Sequence, residues 1–174
     1  MRKNIIMACM AAAAMLSAVS CIKDLDALPL NPTDYTAEAV YGTEEGNYLS
    51  GLAKIYHTLY MTDGVSNVGN TSHAQFIMAY WALGEITTDA AKCAWKSDTW
   101  THYMNNNTWT TVSLDPTLGI YCHSLLGATY VNEYLKQTSD EKLDARGVDE
   151  SLKQKIHGMR AEARFIRAFE YWAM

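Results

Sequence analysis

The sequence predicts a mostly α-helical fold whose helices are joined by long, aromatic-rich loops. Apolar residues recur at steps of three and four in three long segments, which places them along one face of a helix. Two of those segments open on capping signals, Asp115 followed by Pro116, and Asp149. Runs of Thr, Asn, Asp, Gly and Ser separate them and read as turns.

Composition narrows the class further. A chain of 174 residues is one domain or a piece of a larger one. With 49% hydrophobic and 19% charged residues it is suited to a packed core, which disfavours disorder, collagen and coiled coils. Fourteen basic residues against 19 acidic ones give a net charge of −5, which offers no basic surface for phosphates, so no nucleic-acid partner is expected. The 11 Tyr and 5 Trp against 3 Phe favour rings that carry a polar handle, suited to wet binding faces as well as to cores.

Met1-Arg2-Lys3-Asn4 is a short positive segment, and Ile5 to Val19 is apolar except for Ser17, the length of a signal-peptide core. It falls short of the roughly 20 apolar residues that a membrane span needs. Leu16-Ser17-Ala18-Val19-Ser20-Cys21 resembles a bacterial lipobox. Residues 1–20 are therefore read as a lipoprotein signal peptide and Cys21 as the lipidated residue. Loss of Arg2 and Lys3 with the signal leaves 12 basic and 19 acidic residues, a net charge of −7. Residues 21–36, with Pro29 and Pro32 and no apolar period, are predicted to be a lipid-anchored tether.

The first helix is predicted over Glu44 to Met61, with Leu49, Leu52, Ile55, Tyr56, Leu59 and Tyr60 on its face. Thr62 to His73 is dense in turn formers and reads as a loop. The apolar run Gln75 to Leu83 is assigned to a helix that ends at Gly84. Glu85 to Thr111 holds Trp95, Trp100, Tyr103 and Trp109 without a sustained period and reads as an aromatic-studded loop. The helix opened by Asp115 is predicted to run to about Lys136, with Leu118, Tyr121, Cys122, Leu125, Leu126 and Tyr130 on one face. Thr138 to Gly147 is a polar connection. Asp149 then caps a helix carrying Leu152, Ile156, Met159, Ala163 and Ile166, with Phe165, Phe169 and Trp172 as a second apolar row. That helix shows no stop signal before Met174, so the chain is expected to be the N-terminal part of a longer protein and to expose apolar surface on its last helix.

Chemistry-bearing constellations are few. Cys9 leaves with the signal, and Cys93 and Cys122 either form one disulfide or act as small buried hydrophobes. His57, His73, His102, His123 and His157 show no metal-ligand spacing, and neither a metal nor a cofactor is expected. Glu85 and Asp89 have no spacing that predicts a catalytic pair, and Asp89 is expected to shape the turn after Thr88. His102 with Ser97 or Ser113 lacks a nucleophile elbow, and no Gly-rich phosphate loop occurs. No catalytic residue is assigned, and an enzyme is not expected.

Several segments together carry a family resemblance: Cys21-Ile-Lys-Asp-Leu-Asp26 with Pro29 and Pro32; the helix from Tyr48 to Tyr56; Glu85-Ile-Thr-Thr-Asp89 running on to Ala94-Trp95; Tyr121 and Asn132; and Arg160 to Trp172. In this order they resemble the N-terminal part of the SusD-like (RagB/SusD) outer-membrane lipoproteins of Bacteroidetes, over essentially the whole chain. The resemblance implies a tetratricopeptide-like helical repeat fold, truncated here, in residues 37–174. It also implies a non-enzymatic lid on a TonB-dependent, SusC-like transporter that captures glycans, or peptides in the RagB branch. Lys23-Asp24-Leu25-Asp26 resembles the acidic tags that send such lipoproteins to the cell surface, which implies an outer-membrane, surface-exposed location.

Trp95 falls on a position where starch-binding members stack a sugar ring, and Lys96 and Asp98 are the polar partners expected for its hydroxyls. Trp100 in the same stretch and Asn70 in the preceding loop complete the candidate ligand site. Cys93 stands where the family has a second aromatic, and Met78 near an expected Arg, departures that point away from starch. Trp109 is expected in the core, and Asn132 as a buried hydrogen-bonding residue. The leading expectation is glycan capture for the transporter. Its alternatives are a peptide-binding or structural lid, or a truncated remnant without function.

Overall fold

The computed structural model of the chain describes residues 31, 35–62, 75–95, 99–110 and 115–174. The predicted signal peptide, Cys21 and most of the tether lie outside the described residues. The chain divides into two compact units, Met1–Val40 and Tyr41–Met174. Among the described residues the structure is helical and contains no strand, as the periodicity predicts. The helices are α1 (Ala37–Tyr41), α2 (Glu45–His57), α3 (Phe76–Glu85), α4 (Thr99–Asn106), α5 (Asp115–Gln137), α6 (Asp140–Ala145) and α7 (Glu150–Ala173).

The long helix α5 is the centre of the second unit and packs on α7, α3 and α2, while α2 also packs on α7. Its buried face differs from the predicted one. Ile120, His123, Ser124, Gly127, Ala128, Val131 and Tyr134 are buried, whereas Tyr121 and Leu125 of the predicted stripe are exposed. Large apolar positions were the basis of the prediction, but a close helix pair is made by small residues. Gly127 lets α7 approach, since a Cβ there would lie 1.9 Å from Glu170 Oε1, and Asn132, expected inside, is exposed and accepts a hydrogen bond from Arg167 Nη1.

Helix α2 is also rotated from expectation, burying Tyr48, Leu52 and Ile55 and exposing Leu49 and Tyr56. It stops at His57 and tightens into single turns, Thr58 N–H to Ile55 O at 3.1 Å and Leu59 N–H to Tyr56 O at 3.2 Å. The preference for tyrosine over phenylalanine has a structural reason here. Tyr48 donates its hydroxyl to Gly42 O at 2.8 Å and Tyr134 donates to Tyr48 O at 3.2 Å, so two large rings fill the core with their polar ends satisfied. Burial pushes the Tyr134 hydroxyl well above the ordinary phenol range. Gly51 makes room for that ring, since a Cβ there would lie 2.9 Å from Tyr134 Cε2.

Helix α3 confirms the assignment of the apolar run to a helix but runs through Gly84 to Glu85. It buries Phe76, Ala79 and Ala82 and leaves Ile77 and Trp81 exposed. Two short helices lie where only loop is predicted, α4 within the aromatic stretch and α6 within the polar connection. Both end in the same way. Asn107 (φ 52) and Gly147 (φ 71) take the left-handed conformation, and the residue after each bonds back, Thr108 N–H to Tyr103 O at 3.1 Å and Val148 N–H to Leu143 O at 3.0 Å. Leu143 and Val148 are both buried, which closes the turn with an apolar contact.

Helix α7 follows the prediction closely. Asp149 accepts the Leu152 N–H at 3.0 Å, and Leu152, Ile156, Met159, Ala163 and Ile166 are buried. Asp149→Ala is expected to cost about 1 kcal/mol, read as a lowered midpoint of thermal unfolding. The second row is mostly uncovered: Phe165 and Trp172 are each 72% exposed, while Phe169 is half-buried against Phe76 and Tyr80, each at a centroid distance of 5.5 Å. Cys93 and Cys122 are free thiols, both half-buried, so they form no disulfide.

Candidate functional site

The site is built around residues 91–95, a segment without regular secondary structure and with no strand beside it among the described residues. Side chains of α4 take the place of a neighbouring strand. Asn105 accepts the Cys93 N–H on Oδ1 at 2.9 Å and donates Nδ2 to Cys93 O at 2.8 Å, closing a two-point bond to one residue. Thr101 donates its hydroxyl to Trp95 O at 2.7 Å, and Lys92 Nζ donates to Asn105 O. The entry to the segment is shaped by Thr88, which donates to Glu85 O at 2.8 Å and accepts the Ala90 N–H at 3.1 Å. Asp89, expected to shape this turn, is exposed.

This clamp sets the two tryptophans in different roles. Trp95 is 50% exposed, and Trp100 is 3% exposed beneath it, with ring centroids 6.2 Å apart and planes at 90°. Trp100 packs with Ala82, Ile86 and Met104 in a small core. Trp100, expected as a ligand contact, supports the Trp95 ring from below and also lines the apolar cavity beside it. The edge-to-face contact fixes the Trp95 ring and leaves part of it open. Trp109, expected in the core, is 44% exposed, because the chain leaves α4 at Asn107 and carries it away from the buried face. Lys96, Asp98 and Asn70 lie outside the described residues.

Trp95 is the wall between two cavities of different chemistry. One, of about 260 Å³, is lined by Met78, Trp81, Ile86, Cys93 and Trp100 and is largely apolar. The other, of about 310 Å³, is lined by Cys93, Ala94, Thr101, His102 and Asn105 and is rich in hydrogen-bonding groups. A ligand with both an apolar face and hydroxyl or amide groups fits such a pair. A larger cleft of about 550 Å³, lined by Ile77, Tyr80, Trp81, Leu83, Ile120 and Ala173 together with Gly84 and Glu85, offers one charged side chain and is the poorer match to a polar ligand.

Trp81, His102 and Asn105 are the site residues that the sequence reading missed. Trp81 follows Ile77 by four residues on the exposed side of α3, a pairing that is visible in the sequence but has no direction in an all-apolar run. Asn105 acts on a residue twelve positions earlier, and no local pattern marks it. The most perturbed acid among the described residues, Glu170, is pushed up to about 7 by burial and lines none of these cavities. No protein-family model matches the chain, and no curated protein or solved structure matches it either.

Proposed function

We propose that the chain is the N-terminal part of a non-enzymatic, cell-surface glycan-binding lipoprotein of SusD-like type, anchored in the outer membrane through Cys21. It captures oligo- or polysaccharide on Trp95 and delivers it to a TonB-dependent, SusC-like transporter. In this reading α7 is the first helix of a tetratricopeptide-like array. The observation that carries it is the braced, half-exposed Trp95 ring between an apolar and a polar cavity. Sugar rings present C–H faces that stack on tryptophan, and their hydroxyls need the polar neighbours that Thr101, His102 and Asn105 supply.

The second reading, a peptide-binding or structural lid of the same transporter, is favoured by Cys93. It lines both cavities with a small thiol where the resembled family has a ring, which removes one stacking platform from the site.

Affinity electrophoresis of the full chain through gels loaded with different polysaccharides tests the first reading. Trp95→Ala is expected to weaken retention about tenfold, the effect of losing a stacked ring worth roughly 1.5 kcal/mol. The fold should be unaffected, because Trp95 is half exposed. Asn105→Leu removes both bonds to Cys93 and is expected to weaken retention as well. Unchanged retention in Trp95→Ala removes the ring from the site, and displacement of bound polysaccharide by oligopeptides favours the lid reading.

A further inference from the structure

The C-terminal half holds another concave site, built of charge rather than of rings and sharing no residue with the Trp95 site. Helix α7 carries His157, Arg160 and Arg164 at steps of three and four, so the three side chains lie along one face over two turns. Asp140, the first residue of α6, reaches across to that face. Its Oδ1 accepts from His157 Nε2 and from Arg160 Nη1, each at 2.8 Å. These four side chains line a cavity of about 230 Å³.

Charge is unbalanced in this cavity. The His157 bond, followed by the neighbouring Arg160 guanidinium, holds the Asp140 carboxyl below its usual range, so it is ionised at neutral pH and offsets one cation. Arg160 is mostly buried and is oriented by Asp140, with its side chain 16% exposed. Arg164 makes no hydrogen bond and no ion pair among the described residues. One guanidinium therefore stands in excess, in a chain whose net charge is −5. A cluster that served only to tie α6 to α7 would need Asp140 and Arg160 alone. Arg164 adds a second planar fork of donors beside the first, the arrangement that matches the oxygens of a carboxylate or phosphate.

We propose that the pocket formed by Asp140, His157, Arg160 and Arg164 binds a small oxyanion, a carboxylate or phosphate group, held between Arg164 and the Asp140-oriented Arg160. Asp140 is both the orienting group and the competitor for the same donors. Binding is therefore expected to be weak, in the millimolar range, and to fall as ionic strength rises.

Calorimetric titration of the full chain at low ionic strength, with inorganic phosphate and with glucuronate as separate probes, tests the site. Saturable binding is expected, weakened about tenfold by Arg164→Gln through the loss of charge-assisted bonds. Asp140→Asn is expected to tighten it several-fold, since an amide still accepts from Arg160 but no longer competes as an anion. Both positions are exposed, and an unchanged helical circular dichroism spectrum verifies that the variants fold. Tighter binding of phosphate assigns the pocket to a phosphorylated group, and tighter binding of glucuronate to an acidic sugar or side chain. The proposal is overturned if neither probe saturates, or if Arg164→Gln binds as the unsubstituted chain does.

Discussion

Replacing Gly127 by alanine is expected to destabilise the protein by about 2 kcal/mol or more, read as a fall of about 1 M in the urea midpoint. On helix propensity alone the change should be stabilising by about 1 kcal/mol, because Gly127 sits inside α5. Packing reverses the sign. A Cβ at this position would lie 1.9 Å from Glu170 Oε1, 2.4 Å from Cδ and 2.5 Å from Oε2. The end of a glutamate side chain usually moves aside at little cost, but Glu170 is fully buried, so it moves only by displacing the packing around it. Overpacking of this kind costs about 1–3 kcal/mol and at times more, and displacing Glu170 also breaks its contact with Thr58, 2.9 Å away. The double variant Gly127→Ala, Glu170→Ala vacates the contested volume and should be more stable than Gly127→Ala alone, with a coupling of about 1 kcal/mol or more between the positions. A single variant that is stabilised, as propensity predicts, would show that α5 and α7 do not approach as closely as described.

The same pair of residues shows where sequence reading reached and where it stopped. The long helices were legible because an apolar period sums over many turns, and the Asp149 cap because its chemistry is local. Helix α4 has eight residues and α6 has six, about two turns each, too short to display a period. They are held by tertiary contacts, Trp100 and Met104 in one small core and Leu143 in the main one. The buried face of α5 carries Ser124, Gly127 and Ala128, which a count of large apolar residues passes over, so the sequence pattern points to another side of that helix. At the candidate site Trp95 was legible as a residue type. Which tryptophan is open and which is buried depends on the Asn105 and Thr101 clamp, which joins residues six and twelve positions apart.

Glu170 itself carries the second large effect, a loss of stability as pH rises from about 4.5 to about 7. Burial pushes its carboxyl from 4.5 up to about 7, against the pull of a bond from Thr58. The geometry weakens that opposing pull. Thr58 Oγ1 lies 2.6 Å from Ile55 O and 2.9 Å from Glu170 Oε1, and a hydroxyl has one proton for the two acceptors. The shorter contact takes it, which leaves Glu170 to supply its own proton toward Thr58 as the neutral acid. Oε2 is buried with no hydrogen-bond partner among the described residues, so ionisation would place charge on an unsolvated oxygen.

The sign of the pH effect follows from proton counting. Between about 4.5 and 7 the folded chain keeps this proton while the unfolded chain has released it, so stability falls as pH rises and levels off above about 7. A shift of this size corresponds to roughly 3 kcal/mol across the window. Asp140 acts in the opposite sense, but its carboxyl is held below its ordinary value of 3.8, so its effect is confined to more acidic solutions. Glu170→Gln keeps the size of the side chain, can donate its amide to Thr58 and does not titrate. The variant is expected to match the unsubstituted protein near pH 4.5 and to exceed it by up to roughly 3 kcal/mol at pH 8, with the decline over the window removed. Urea midpoints measured at intervals from pH 4.5 to pH 8 on both proteins provide the comparison. A decline that persists unchanged in Glu170→Gln would assign the titration to other groups and leave Glu170 ionised in the core, in conflict with its burial.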